Sequence, residues 1–288
     1  MTLAEWLNGH VYLQPLARFR AQVEGAAAAL DTNDPTIPIW DDYAGDFNAG
    51  VPLLQSLDAA IDFEGAGRTV GQLIERLASD HPGGTLAGEM RMLTAELQLS
   101  PDARRVVDRL LGDDAATTSA PGLFRFVGWT ALALYLRPVV GAFANWRDES
   151  RWLRRYCPTC GSLPAMAQLV GVDPGRRRFL SCGCCGTRWR YGRTLCPFCE
   201  TDSHRLTVLA IEGEGGLRID YCESCRGYLK TYAGEGDEAV LLADWTSIHL
   251  DLLALDRGLK RQAVSLYDLE PALQRQATGT STSYNPRP

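Results

Sequence analysis

Hydrophobic positions in the first half of the chain recur at helical spacing. Leu86, Met90, Leu93 and Leu97 stand at i, i+4, i+7 and i+11, which places them on one face of a helix over Leu86 to Gln98. Val70, Leu73, Ile74 and Leu77 mark a helix before it, and Leu16 to Leu30, with its alanine run, another. Val106, Val107, Leu110 and Leu111 form the buried stripe of a further helix. Ser100 is placed to N-cap it, Pro101 suits its first position and Gly112 can end it. Leu123 to Trp146 is apolar on most sides and predicts a long core helix kinked near Pro138. Asp31 to Gly50 is rich in Asp, Asn, Gly and Pro, and reads as an irregular connection anchored by Ile37, Ile39, Trp40 and Phe47.

Around Arg151 the pattern changes to short β-type runs separated by Cys, Gly, Pro and Arg. Leu163 to Val170 and Arg176 to Ser181 can pair around a Gly171 to Gly175 turn, and His204 to Glu212 with Leu217 to Tyr221 around Gly213 to Gly216. Gly186 to Leu195 suits one linking strand. A last helix is predicted over Asp244 to Leu259, with Ile248, Leu252, Leu255 and Leu259 on one face. The predicted fold class is α+β. An all-helical domain over 1–150 is followed by a tandem rubredoxin-like or zinc-ribbon β domain over 151–232, a C-terminal helical segment over 233–270 and a disordered tail over 271–288.

Composition narrows the function classes. A chain of 288 residues with 45% hydrophobic content can bury real cores, and a net charge of -6 argues against a general nucleic-acid or anionic-membrane binder. The longest strongly apolar run, Phe126 to Leu136, is shorter than the roughly 18–20 residues of a membrane span, so a core helix is expected there. Met1 to Gln14 lacks the pattern of a secretory signal, and the expected location is the cytoplasm. Thiols stay reduced there, which turns a cysteine-rich segment toward metal binding.

All nine cysteines lie between Cys157 and Cys225, and eight of them make four Cys-x-x-Cys turns: Cys157/Cys160, Cys182/Cys185, Cys196/Cys199 and Cys222/Cys225. Such a turn brings two thiolates to one ion, and a following glycine allows the positive φ that the turn requires. Cys160 and Cys182 are separated by 21 residues, and Cys199 and Cys222 by 22, each enough for a hairpin that returns the second turn to the first. Sequential pairing into two four-cysteine sites, each holding one iron or zinc ion, is the expected arrangement, with an interleaved pairing as the alternative. Cys184 is read as a bystander thiol, against a redox role.

Nine arginines stand against two acids, Asp173 and Glu200, between Arg151 and Glu200. Four thiolates around a divalent ion carry a net charge of about -2, which nearby guanidinium groups can offset. Charge balance or protein docking is therefore preferred to nucleic-acid binding. His10, His81, His204 and His249 show no ligand-type spacing and are read as structural or solvated. No catalytic constellation is present in the sequence, and a closed four-cysteine site lacks an open coordination position, so the chain is not expected to be an enzyme.

The segments Arg155 to Pro164, Arg178 to Cys182, Trp189 to Cys196 and Tyr221 to Lys230, with Gly50 to Leu54 upstream and Leu250 to Leu253 downstream, resemble the formate dehydrogenase accessory protein FdhE family. The resemblance implies a cytoplasmic maturation factor for respiratory formate dehydrogenase that binds the catalytic subunit before export. It also implies a rubredoxin-like domain holding iron or zinc. The rival functions are a nucleic-acid-binding double zinc ribbon and a rubredoxin-like electron carrier to the immature enzyme.

Overall fold

The computed structural model describes residues 1–30, 37–56, 61–80, 83–99, 102–112, 118–144, 150–172 and 174–267. The tail over 271–288, His81 and the Ser100–Pro101 cap fall outside these residues.

Helix α1 (Leu3–Gly9) precedes α2 (Gln14–Ala28), α3 (Trp40–Ala49), α4 (Phe63–Asp80), α5 (Thr85–Gln98), α6 (Ala103–Leu111) and α7 (Pro121–Ala144). α4 is the hub of a bundle, burying Phe63, Val70, Leu73, Ile74 and Leu77 against α2, α5, α6 and α7. In α5, Met90 and Leu93 are buried, as their spacing predicts. The cap of α6 is Asp102, whose carboxylate accepts from the backbone N–H groups of Arg104 and Arg105 at 3.0 and 3.3 Å. A negative group at this end also meets the positive pole of the helix.

α7 continues through Pro138, and its span Pro121–Phe143 is long and apolar enough to cross a membrane. It nevertheless serves as a core helix, with Phe124, Val127, Ala131, Leu132 and Leu136 almost fully buried.

The expected irregular stretch up to Gly50 is corrected by α3. Tyr43 and Phe47 are buried at i, i+4, and Trp40 packs against both. Asp41 and Asp42 lie in its first turn, where the helix dipole favours them. Gly50 ends it in the left-handed region at φ 87°. Ile37 and Ile39, read as anchors, are largely exposed.

The strands are β1 (Pro164–Val170), β2 (Arg177–Cys182), β3 (Arg188–Tyr191), β4 (Leu206–Ala210), β5 (Leu217–Cys222) and β6 (Tyr228–Tyr232). They form one sheet in the order β3-β2-β1-β6-β5-β4. The two ribbons are thus halves of a single sheet, joined where β1 and β6 run parallel, Met166 opposite Lys230 and Gln168 opposite Tyr232. β6 is the strand that the sequence pattern does not announce.

Both faces of the sheet are covered. Leu180, Trp189 and Leu229 pack with Tyr43, Phe47, Val139 and Phe143 of the helical part. On the other face, Met166, Ile219, Tyr228 and Tyr232 pack with Trp6 of α1 and with Leu241, Trp245 and Leu250. The last three belong to α8 (Glu238–Leu241), a 3-10 turn over Asp244–Ser247 and α9 (Ile248–Asp256). The single helix expected from Asp244 to Leu259 is therefore a turn followed by a shorter helix. Trp6 fastens the N-terminal helix to that turn, its Nε1 donating to Thr246 O at 3.0 Å.

Candidate metal centres

All four Cys-x-x-Cys turns have the same backbone. Cys157 N donates to Ser162 O and Gly161 N to Cys157 O, both at 2.9 Å. The same pair of bonds recurs as Cys182 N to Thr187 O and Gly186 N to Cys182 O, then Cys196 N to Thr201 O and Glu200 N to Cys196 O, then Cys222 N to Gly227 O and Arg226 N to Cys222 O. The residue four after the first cysteine takes positive φ each time: Gly161 at 80°, Gly186 at 74°, Glu200 at 60° and Arg226 at 60°. Glycine fills this position in the first two turns only. Glu200 and Arg226 are the positive-φ residues other than glycine among the described residues, so the fold imposes the turn there against the side chain's preference.

The turns converge sequentially. Cys157 Sγ lies 3.5 Å from Cys185 Sγ, and Cys160 Sγ 3.4 Å from Cys182 Sγ. In the second cluster Cys196 Sγ is 3.8 Å from Cys225 Sγ, and Cys199 Sγ 3.7 Å from Cys222 Sγ. In each cluster the four sulfurs lie within 4.8 Å of one another. None of these cysteines is in a disulfide. A tetrahedral ion with metal–sulfur bonds near 2.3 Å requires sulfur–sulfur edges of about 3.8 Å, and these separations fit it. Backbone N–H groups of Thr159, Phe198 and Gly227 point at Cys157, Cys196 and Cys225 sulfurs, each at 3.4 Å, and would stabilise thiolate charge. Both sets can hold a metal ion such as zinc or iron.

The two clusters have different surroundings. The leading cysteine of every turn is buried, but Cys199 of the second cluster is exposed. The first cluster is clamped by the helical part. Leu53 N donates to Pro158 O and Leu54 N to Thr159 O, both at 2.9 Å, and Tyr43 hydroxyl reaches Pro158 O at 3.3 Å. Thr159 and Thr187 hydroxyls, 2.8 Å apart, tie its two turns together. Cys184 is not one of the four converging ligands; its sulfur lies 3.8 Å from Ser162 Oγ, and with Cys182 and Cys185 it lines a cavity of about 540 Å³ shared with α2 and α7. Beside the second cluster is a groove of about 440 Å³ lined by Cys196, Pro197, Phe198, Leu206, Val208 and Tyr221 among others.

Gly161 and Gly186 make the turn geometry testable. A Cβ on Gly161 would come 2.9 Å from Gln55 Nε2 and 3.3 Å from Pro52 Cγ, whereas one on Gly186 meets open space. Gly186→Ala should cost about 1–2 kcal/mol, the left-handed penalty alone. Gly161→Ala should cost more, and its extra loss should appear as weaker docking of residues 50–55. Equal urea midpoints for the two variants would contradict this.

The arginines of this region mostly serve the fold. Arg178 is buried, donates to the carbonyls of Gly192 and Leu195, and lies over the Tyr191 ring. Burial pulls its pKa down to about 10. Arg155 donates to Phe198 O, Arg154 to Ala49 O and Arg188 to Gln168 Oε1. Arg176, Arg177, Arg190 and Arg193, with Arg178, line a cavity of about 410 Å³ at the β3 edge.

Two constellations are not visible in the sequence. Lys230 is fully buried, its Nζ 2.6 Å from Asp244 Oδ1 and 2.7 Å from Asp251 Oδ2. Arg261 closes the ring at 2.7 Å to Asp244 and 2.8 Å to Asp251, and Tyr228 hydroxyl donates to Asp251 at 2.7 Å. Although burial alone would raise the Asp244 carboxyl, Lys230 and Arg261 hold it down at about 2. His10 and His249, which sequence spacing leaves separate, meet at Glu214.

Comparison with known proteins agrees with this geometry. The FdhE central domain matches residues 156–193. The FdhE homolog of Pseudomonas aeruginosa is 32% identical over 229 residues, 76% of this chain and 66% of that protein. The chain belongs to the FdhE family. The FdhE homolog of Aquifex aeolicus is 32% identical over 44% of this chain, and FdhE of Escherichia coli is 30% identical over 48%. These alignments span 47% and 45% of the two relatives, so the chain matches about half to two thirds of the length of these FdhE proteins. The crystal structure of the FdhE protein from Pseudomonas aeruginosa shares the fold, with a TM-score of 0.61 at 23% identity over 90% of both chains.

Proposed function

We propose that this FdhE-family chain is a cytoplasmic, non-enzymatic maturation factor for respiratory formate dehydrogenase that binds the catalytic subunit before its export. The observation that carries the reading is the pair of four-cysteine clusters set in one continuous sheet, in a chain that belongs to the FdhE family. Each cluster holds one iron or zinc ion in this reading, with Cys157, Cys160, Cys182 and Cys185 as the first ligand set and Cys196, Cys199, Cys222 and Cys225 as the second. The second cluster is the docking end. Cys199 is exposed, and the adjoining groove offers the apolar side chains of Phe198, Leu206 and half-exposed Val208.

A strain lacking the protein should still make formate dehydrogenase polypeptides but lack their respiratory activity. The tagged protein should capture the catalytic subunit, most strongly in its unexported form, and Val208→Glu should weaken that capture while both ions stay bound. Full formate dehydrogenase activity in the deletion strain, with captures that return only nucleic acid, would replace this reading with the zinc-ribbon one. Reversible bleaching of an iron-loaded protein by the immature enzyme would support the electron-carrier reading instead.

A further inference from the structure

Among the described residues, one group of ligand-type side chains outside the cysteine clusters converges from three distant parts of the chain. His10 caps the end of α1, Glu214 sits in the turn between β4 and β5, and His249 is in the first turn of α9. Glu214 Oε2 lies 2.8 Å from His249 Nε2 and 3.3 Å from His10 Nε2, and the ligand atoms all lie within 4.8 Å of one another. Their side chains are 14% to 17% exposed, shielded but reachable from solvent.

The hydrogen bonding of this group is one that a cation can take over. His10 Nδ1 is 3.0 Å from Trp6 O, and a carbonyl oxygen can only accept, so Nδ1 carries the proton. The neutral ring then turns its Nε2 lone pair toward a carboxylate oxygen, two acceptors face to face. His249 Nε2 faces the same carboxylate at 2.8 Å, and its Nδ1 is buried without a hydrogen-bond partner. A metal ion bound by the two imidazole Nε2 atoms and the carboxylate would take the facing lone pairs of His10 and Glu214. With bonds near 2.0–2.1 Å, a tetrahedral site has ligand–ligand edges of about 3.3 Å, which is the separation of His10 and Glu214, while the 2.8 Å between His249 and Glu214 would open by about 0.5 Å. The rings are already oriented: Trp6 stacks on His10 at 3.9 Å, and Tyr12 stands edge-on to both histidines at 5.8 Å.

We propose that His10, Glu214 and His249 form a third metal site, a two-nitrogen, one-oxygen set for a divalent ion of the zinc class, with its remaining position open to solvent. Unlike the four-cysteine sets, it keeps a place for an exogenous donor, and it joins three elements far apart in sequence. The inference does not depend on the maturation reading. The test uses the full chain with both four-cysteine sites filled by zinc, dialysed and then titrated with Co2+. One additional ion per chain is expected, with visible bands but no thiolate-to-metal charge transfer in the near ultraviolet. Glu214→Gln and His10→Gln should each abolish that ion and keep the two zinc ions, whose retention shows that the variants are folded. Binding of only two ions by the parent protein, or the same additional ion in either folded variant, overturns the proposal.

Discussion

Replacing Cys157 and Cys160 by serine is expected to remove one ion and unfold the first ribbon together with the docking of α3, while the second ion stays bound. A structural zinc site supplies on the order of 10–16 kcal/mol, comparable to or larger than the about 5–15 kcal/mol that keeps a whole domain folded. The first cluster is wired outward through Leu53, Leu54 and Tyr43 to the end of α3, so its loss should raise hydrogen exchange over residues 40–55. The α4–α7 bundle has its own core and should keep its protection. The paired change Cys196→Ser and Cys199→Ser strips the more exposed cluster and should leave α3 protected. Metal analysis with exchange mass spectrometry reads both outcomes. Loss of both ions from the first variant, or unchanged exchange over 40–55, would show that the clusters are not separately wired.

Lys230→Met is expected to destabilise the protein by about 3–5 kcal/mol at neutral pH, the usual cost of removing one partner from a buried charge network. The change leaves two carboxylates, Asp244 and Asp251, with Arg261 as their shared cation and the Tyr228 hydroxyl on Asp251, in the buried space behind β6. A pH signature accompanies the loss. Asp244 is held at about 2, below its usual 3.8, so its pairing contributes stability above pH 3.8 that disappears as pH falls toward 2. Without Lys230 the carboxyl should titrate at higher pH, and the acid limb of the stability curve should shift upward. A loss under about 1 kcal/mol, or an unmoved acid limb, would mean that apolar packing replaces the network at no cost.

What can be read from the sequence follows from how local each signal is. The four Cys-x-x-Cys turns and their hairpin intervals lie within 69 residues and favour sequential pairing over an interleaved one, and the structure brings the turns together sequentially. Strand β6 escapes a sequence reading because a central strand covered on both faces has no alternation to show, and Lys230 in its middle disguises what apolar run remains. α3 escapes it because Asp, Asn and Gly dominate its composition, while its signal is only Trp40, Tyr43 and Phe47 at helical spacing. The glycine rule for the cysteine turns holds at Gly161 and Gly186 but not at Glu200 and Arg226, where the hydrogen bonds and strand pairing overrule it. His10, Glu214 and His249 cannot be joined by spacing, since only the fold makes them neighbours.

The parallel pairing of β1 with β6 separates the order of synthesis from the order of assembly. Each ribbon can close on its own ion as soon as its second turn leaves the ribosome, because both partners of each cluster are near neighbours along the chain. The seam between the ribbons must wait for residues 228–232, three residues beyond the last cysteine. Until then one side of β1 is an open strand edge in the middle of the eventual sheet. A nascent chain loaded with metal at both clusters would therefore zip shut in one long-range step, and the buried Lys230 can find its carboxylates only after that step, when α9 follows.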